Sequence, residues 1–249
     1  MTYMYMIILL ICVWRFKKIK LFIVHLWEFM RWKRKDIKYA RADMRLGIKR
    51  FKEYGLKIYT GRQGSGKTIS MVNRLNELHE EYPDAQIYTN FRYRHATGQL
   101  ESLNDLLTIR NGDKGVIFAI DEIQNEFSSN TSKDFPETLL STITMQRKQN
   151  IVILATSQVF TRVSKPLREQ CFEVIECRTF AGRWTKLKCY DADDYNYMID
   201  QTDPKDKWRT PKKYKLSYIQ TDDLRNCYDT LEVIQRLSRQ GFAPKIRVN

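Results

Sequence analysis

The chain has 249 residues, enough for one α/β domain with an appendage and marginal for two full domains. Apolar residues make up 43% and charged residues 29%, with no low-complexity tract and no solenoid-period repeat, which excludes a disordered, fibrous or repeat protein. The net charge is +14; residues 15–53 alone hold 14 Lys/Arg against 4 Asp/Glu, so the basic excess follows an uncharged N-terminal stretch and points to a membrane face or to nucleic acid.

Residues 3–14 read YMYMIILLICVW, an apolar run shorter than the roughly 18–20 residues of a spanning helix. Arg15, Lys17, Lys18 and Lys20 follow, then LFIVHLWEFMRW, then a second basic cluster. Trp14, Trp27 and Trp32 lie beside these clusters, a composition suited to a headgroup layer. Three readings fit: a short membrane anchor, a monotopic helix in the interface, and a helix packed on another subunit. A cleaved secretory signal is disfavoured, because the basic cluster follows the apolar run. The expected organisation is a membrane-associated segment over 1–35, a basic helical connector over 36–55, and an α/β domain over 56–249. If the run spans the bilayer, the positive charge after it keeps that domain on the cytoplasmic side of the membrane.

From Leu56 onward short apolar runs alternate with helical patterns. Strands are expected over 56–60, 86–90, 115–121, 151–157, 171–179 and 184–190, and helices over 67–80, 102–109, 135–147 and 222–238. The alternation argues for a mostly parallel sheet flanked by helices, with 171–190 as a hairpin at the sheet edge.

The first strand runs into Gly61, Arg62, Gln63, Gly64, Ser65, Gly66, Lys67 and Thr68. Two glycines at this spacing, followed by Lys-Thr, match a phosphate-binding loop. The glycines let several backbone N–H groups face one set of phosphates, and the helix that starts there adds its positive end. Lys67 reaches the β- and γ-phosphates, and the Thr68 hydroxyl is a Mg²⁺ ligand. The run VIFAI, residues 116–120, is a buried strand that ends in Asp121 and Glu122. Asp121 then belongs to the Mg²⁺ shell, and Glu122 is the general base for an attacking water. A third buried run, IVILATSQ, ends in Thr156, Ser157 and Gln158, which are expected near the γ-phosphate, Gln158 orienting the water. The five cysteines are odd in number and irregular in spacing, as expected of reduced thiols.

Together GRQGSGKT, VIFAIDE and ILATSQ, in that order, resemble the FtsK–HerA superfamily of ring-forming DNA-pumping and assembly ATPases. Within it the chain is most similar to the zonular occludens toxin (Zot) type of phage assembly ATPase. Further matches are IYTN at 87–90, DEIQNEF at 121–127, SKPLREQ at 164–170 and CYDTLE at 227–232, and the resemblance covers roughly 56–235. It implies a P-loop fold with ATP contacts from Gly61 to Thr68, Mg²⁺ and catalytic roles for Asp121 and Glu122, and a sensor role for Gln158. It also implies a homo-oligomeric ring acting with phage DNA or virion assembly proteins. Basic residues before the sensor strand act in trans in such rings, which here suggests Arg147, with Lys148 and Arg168 as lesser candidates. Two functions remain open: a motor coupling ATP hydrolysis to assembly, export or packaging, and a nucleotide-gated DNA-binding or scaffold protein with little turnover.

Overall fold

The structure is a computed structural model that describes residues 2–45, 47, 49–102, 104–125, 144–201 and 209–229; over residues 2–23 it describes the helical backbone and only the side chain of Met6. The chain divides into two compact units, Met1–Lys49 and Arg50–Asn249.

The first unit is one helix, α1 (Thr2–Arg45). It runs through position 35 without interruption, so the expected change from apolar segment to connector is a change of side chains and not of backbone. Its described part leaves Leu26, Trp27, Phe29, Met30 and Trp32 exposed. Arg31 lies over the Trp27 ring at 6.0 Å, and the Lys35 ammonium lies 4.2 Å from the Trp32 centroid. Among the described residues no helix is long and apolar enough to cross a membrane. The side chains of the apolar run 3–14, Met6 apart, lie outside those described.

The second unit is an α/β sandwich around an eight-stranded sheet. Its strands are β1 (Gly55–Thr60), β2 (Gln86–Thr89), β4 (Gly98–Gln99), β5 (Val116–Ile120), β6 (Ile151–Ser157), β7 (Cys171–Phe180), β8 (Trp184–Asp191) and β9 (Tyr214–Ile219). Their order is β4-β2-β5-β6-β1-β7-β8-β9. From β4 to β7 every pair is parallel, and β8 and β9 then join antiparallel. All twelve residues of β5 and β6 are buried, as strands covered on both faces must be. One face packs Leu56, Ile58, Phe118, Ile153 and Val174 against Leu167, Tyr195 and Met198. The other packs Tyr59, Ile117, Val152 and Ile175 against α2 (Lys67–Glu81). Helix α2 places Met71, Val72, Leu75 and Leu78 on one stripe, the three-and-four spacing of an amphipathic helix, and all four are fully buried. The core takes in residues before Gly55 as well. Phe51 is buried, stacks edge-on with Tyr82, and fills the space where a Cβ on Gly115 would stand.

Three expectations need correction. The β7–β8 hairpin is present, yet it is not the edge: β9 pairs outside it. The sequence reading also passed over the helix Ala192–Asp200. Its polar composition hides a buried stripe of Ala192, Tyr195 and Met198, and the Asp191 side chain caps it by accepting from the Asp193 N–H at 3.1 Å. The helix expected over 222–238 stops at Asn226, because Tyr228 and Asp229 form β10 and pair with β3 (Arg92–Tyr93). Positions 230–238 lie outside the described residues, as do 135–143 of the helix expected over 135–147, whose described part is a turn over Gln146–Gln149. The four described cysteines, Cys171, Cys177, Cys189 and Cys227, are free and buried.

Candidate active site

The site forms where β1, β5 and β6 end side by side. Register pairs Thr60 with Ser157, and Ile120 with Ala155, so the residues that follow these strands emerge together. The loop from Gly61 leaves β1 and turns into α2. Gly66, with φ 88°, sits immediately before the helix, in a conformation glycine adopts freely. A Cβ there would overlap the Thr179 hydroxyl, and a Cβ on Gly61 would stand 2.9 Å from the Cys177 carbonyl oxygen. Both glycines are therefore required by the close approach of the loop to β7.

Lys67 is 6% exposed, and its ammonium reaches back to the Arg62 carbonyl at 3.4 Å and to Glu122 at 3.8 Å. A cation this enclosed needs anionic or carbonyl partners. Thr68 donates to Asp121 Oδ1 at 2.9 Å. Thr156 donates to the same oxygen at 2.6 Å and accepts from the Glu122 N–H at 2.8 Å. Asn90 fixes the Asp121 backbone from the β2 side, accepting from its N–H at 2.7 Å and donating to its carbonyl at 3.1 Å. Asp121 is thus held from helix α2, from strand β6 and from the residue that follows β2. Glu122 has φ 54°, an unfavourable conformation for a residue with a Cβ, and its carboxylate accepts from Gln124 Nε2. Burial, with the Asp121 charge second, raises the Tyr228 hydroxyl above its ordinary range.

The donor set fits a phosphate with a hard cation. Ser65 Oγ, inside the loop, is buried with no hydrogen-bond partner. Thr68 and Asp121 offer adjacent oxygens, and Mg²⁺ characteristically takes one or two carboxylates together with phosphate oxygens. Among the described residues no cluster of three or more His, Cys, Asp or Glu forms a metal cage; a cation here would complete its shell with phosphate oxygens and water.

The residues expected at the site divide. Gly61 to Thr68, Asp121 and Glu122 come together. Gln158 follows β6 and borders the same opening as Gly61 and Arg62. Thr156 turns onto Asp121 and Glu122, and Ser157 turns onto the Val159 carbonyl at 2.9 Å, so these hydroxyls have partners within the protein. Arg147 is elsewhere: its guanidinium lies 5.5 Å over the Tyr54 ring, just before β1 and at the opposite end of that strand from the loop. Sequence reasoning assigned no role to Asn90 or Thr179. Thr179 donates to the Ser65 carbonyl at 2.9 Å and lies 3.0 Å from the Thr185 hydroxyl, and Gln220 donates to Thr185 at 2.8 Å. The only signal for Asn90 was its place at the end of IYTN; Thr179 gave none.

No curated protein matches the chain. Among solved structures, the N-terminal domain of zonular occludens toxin from Neisseria meningitidis is similar at 18% identity and TM-score 0.49, over 70% of this chain and 98% of that one. The genome packaging NTPase B204 of Sulfolobus turreted icosahedral virus 2, in complex with ATP-gammaS, is similar at 12% identity and TM-score 0.40, over 56% of this chain and 93% of that one. The cytoplasmic domain of the type VII secretion ATPase EccC of Thermomonospora curvata follows at 10% identity and TM-score 0.37, over 51% of this chain and 19% of that one. The profile of the zonular occludens toxin (Zot) family matches residues 55–221, which is the sheet and its loop nearly entire, and the chain belongs to that family.

Proposed function

We propose that the chain is a Mg²⁺-dependent ATPase that works as a membrane-associated homo-oligomeric motor in phage assembly, export or DNA packaging. One observation carries the reading: Thr68 and Thr156 converge on one oxygen of Asp121, while Lys67 and Glu122 face each other beside it at 3.8 Å. A site that only bound nucleotide would have no need of a second carboxylate beside the metal position. The backbone of the loop and Lys67 hold the phosphates. Thr68 and Asp121 hold Mg²⁺, which when bound neutralises phosphate charge. Glu122 takes a proton from water once Lys67 turns to the phosphates, and Gln158 orients that water. The exposed Trp27 and Trp32, each beside a cation, support interfacial membrane contact by α1.

The test is ATP hydrolysis by the full chain with Mg²⁺, alone and with single- or double-stranded DNA. Turnover that DNA stimulates supports the motor. Tight nucleotide binding with no turnover under any condition would favour the scaffold reading. Arg147, at the far end of β1 from its own loop, is proposed to serve a neighbour's site. Mixing Arg147→Ala with Lys67→Ala subunits then restores partial activity; unchanged activity of Arg147→Ala alone removes the residue from the mechanism.

A further inference from the structure

β7, β8 and β9 form a three-stranded antiparallel extension with two different faces. From Trp184 to Cys189 burial alternates along β8: Thr185, Leu187 and Cys189 point into the core that α2 covers, and Trp184, Lys186 and Lys188 are exposed on the other side, where the next residue, Tyr190, is buried in the opposite core. Register places Arg178 opposite Lys186, Lys188 opposite Lys215, and Trp184 between Phe180 and Ile219. Like charges directly opposite on one face oppose strand pairing. Here two such pairs share a face, and among the described residues none of these four cations forms an ion pair. The face's one carboxylate, Glu176, lies opposite Lys188 and already accepts from the Tyr190 and Tyr195 hydroxyls, each at 3.3 Å.

The apolar residues on this face are aromatic and interleaved with the cations. The Phe180 and Trp184 rings are 6.3 Å apart. Arg178 lies 4.8 Å over Phe180, and Lys186 lies 4.1 Å over Trp184, which is 45% exposed. The groove beside this face measures about 700 Å³ and runs from Lys186 and Lys188 to Gly61 and Arg62 at the phosphate loop.

We infer that the outer face of β7–β9 binds single-stranded nucleic acid, with Arg178, Lys186, Lys188 and Lys215 tracking phosphates and Phe180 and Trp184 stacking on bases. The uncompensated cations match a repeating anion, and the aromatic pair selects a strand whose bases are free to stack. A duplex presents its phosphates with the bases already stacked, so it uses only half of this surface. The inference rests on the nucleotide-driven reading only for its purpose, since strand binding here requires no hydrolysis.

The experiment is fluorescence anisotropy of a labelled mixed-sequence 20-nucleotide DNA with the full chain over a salt series, with its duplex form and anionic phosphatidylserine vesicles as separate probes. The wild type binds the single strand more tightly than the duplex. In Lys186→Ala/Lys188→Ala the log–log salt slope becomes shallower by about 0.7 per lost phosphate contact. Trp184→Ala weakens binding roughly 5- to 150-fold and leaves the slope unchanged. All three side chains are exposed, and thermal melts check that the variants fold. Wild-type DNA affinity in both variants overturns the inference, as does binding that favours duplex or that appears with vesicles alone. Loss of ATP affinity in the same variants assigns the groove to the bound nucleotide and overturns it equally. A wild type that binds the strand through this face but hydrolyses no ATP sinks the ATPase reading and leaves this one standing.

Discussion

The two halves of the sheet are built on different rules. In the parallel half, β5 and β6 are buried along their whole length, and their polar residues appear only where the strands end. Chemistry is therefore confined to one rim, where Asp121 meets Thr68 and Thr156. In the antiparallel half, burial alternates along β8 from Trp184 to Cys189, so that strand delivers side chains to two environments at once. The first arrangement concentrates a site; the second links one surface to another. The comparison is informative because both halves touch the same loop, the parallel half through Asp121 and Glu122 and the antiparallel half through Thr179.

Lys67→Ala attacks the rim most directly. Turnover falls below detection and nucleotide Kd rises roughly 10²-fold or more, since a buried charge contact to the phosphates is lost. Calorimetric nucleotide binding together with phosphate release measures both, and near-normal turnover would remove the loop from the mechanism. Glu122→Gln is gentler. ATP stays bound and hydrolysis slows by roughly 10²–10⁴-fold, the usual contribution of a positioned base. Single-turnover kinetics separate the two effects; weakened binding with unslowed chemistry would make Glu122 a structural residue.

Thr179→Val tests whether the antiparallel half does more than close the sheet. The change keeps the shape but removes the donor to Ser65, a loss of about 1–3 kcal/mol where a buried polar group is left unpaired. The expected outcome is a lower Tm together with a raised KM for ATP. A lower Tm at unchanged KM would reduce β7 to a scaffold strand.

The smallest effect is alkaline weakening of the antiparallel half. Burial pushes the thiol of Cys189 up to about 11 and that of Cys177 up to about 12, from 9.0. Both thiols stay protonated in the fold while the unfolded chain ionises. Stability therefore falls as pH rises above about 9 and continues to fall until the folded values are passed, by on the order of a kcal/mol near pH 10 for Cys177 and by less for Cys189. Urea melts at pH 8 and pH 10 measure it; equal stability at both would mean the thiols are not enclosed.

The parallel half was legible in the sequence, and the antiparallel half only partly. GRQGSGKT and VIFAIDE are contiguous, so spacing and hydropathy identified both the strands and the rim. Asn90, Thr156 and Thr179 act across the fold: each owes its role to a backbone group or carboxylate that lies 31 to 114 positions away in the chain. An amide or hydroxyl carries no sign of such a partner. Strand β9, YKLSYI, is exposed along nearly its whole length, so burial gave it no clear pattern. The helix from Asp222 was overextended because a helical period continues past Asn226, while the pairing of Tyr228 with Tyr93 is set by a strand far upstream.

Strand β7 carries Thr179, bonded to the loop at Ser65, between Arg178 and Phe180, which turn to the outer face. If filling the loop draws Ser65 inward, the backbone that presents Arg178 and Phe180 moves with it. Any resulting change in affinity at the outer face must, by thermodynamic linkage, be matched by an equal factor in nucleotide affinity when that face is occupied. One strand then makes occupancy of either surface a regulator of the other, with its sign and size readable from a two-ligand titration.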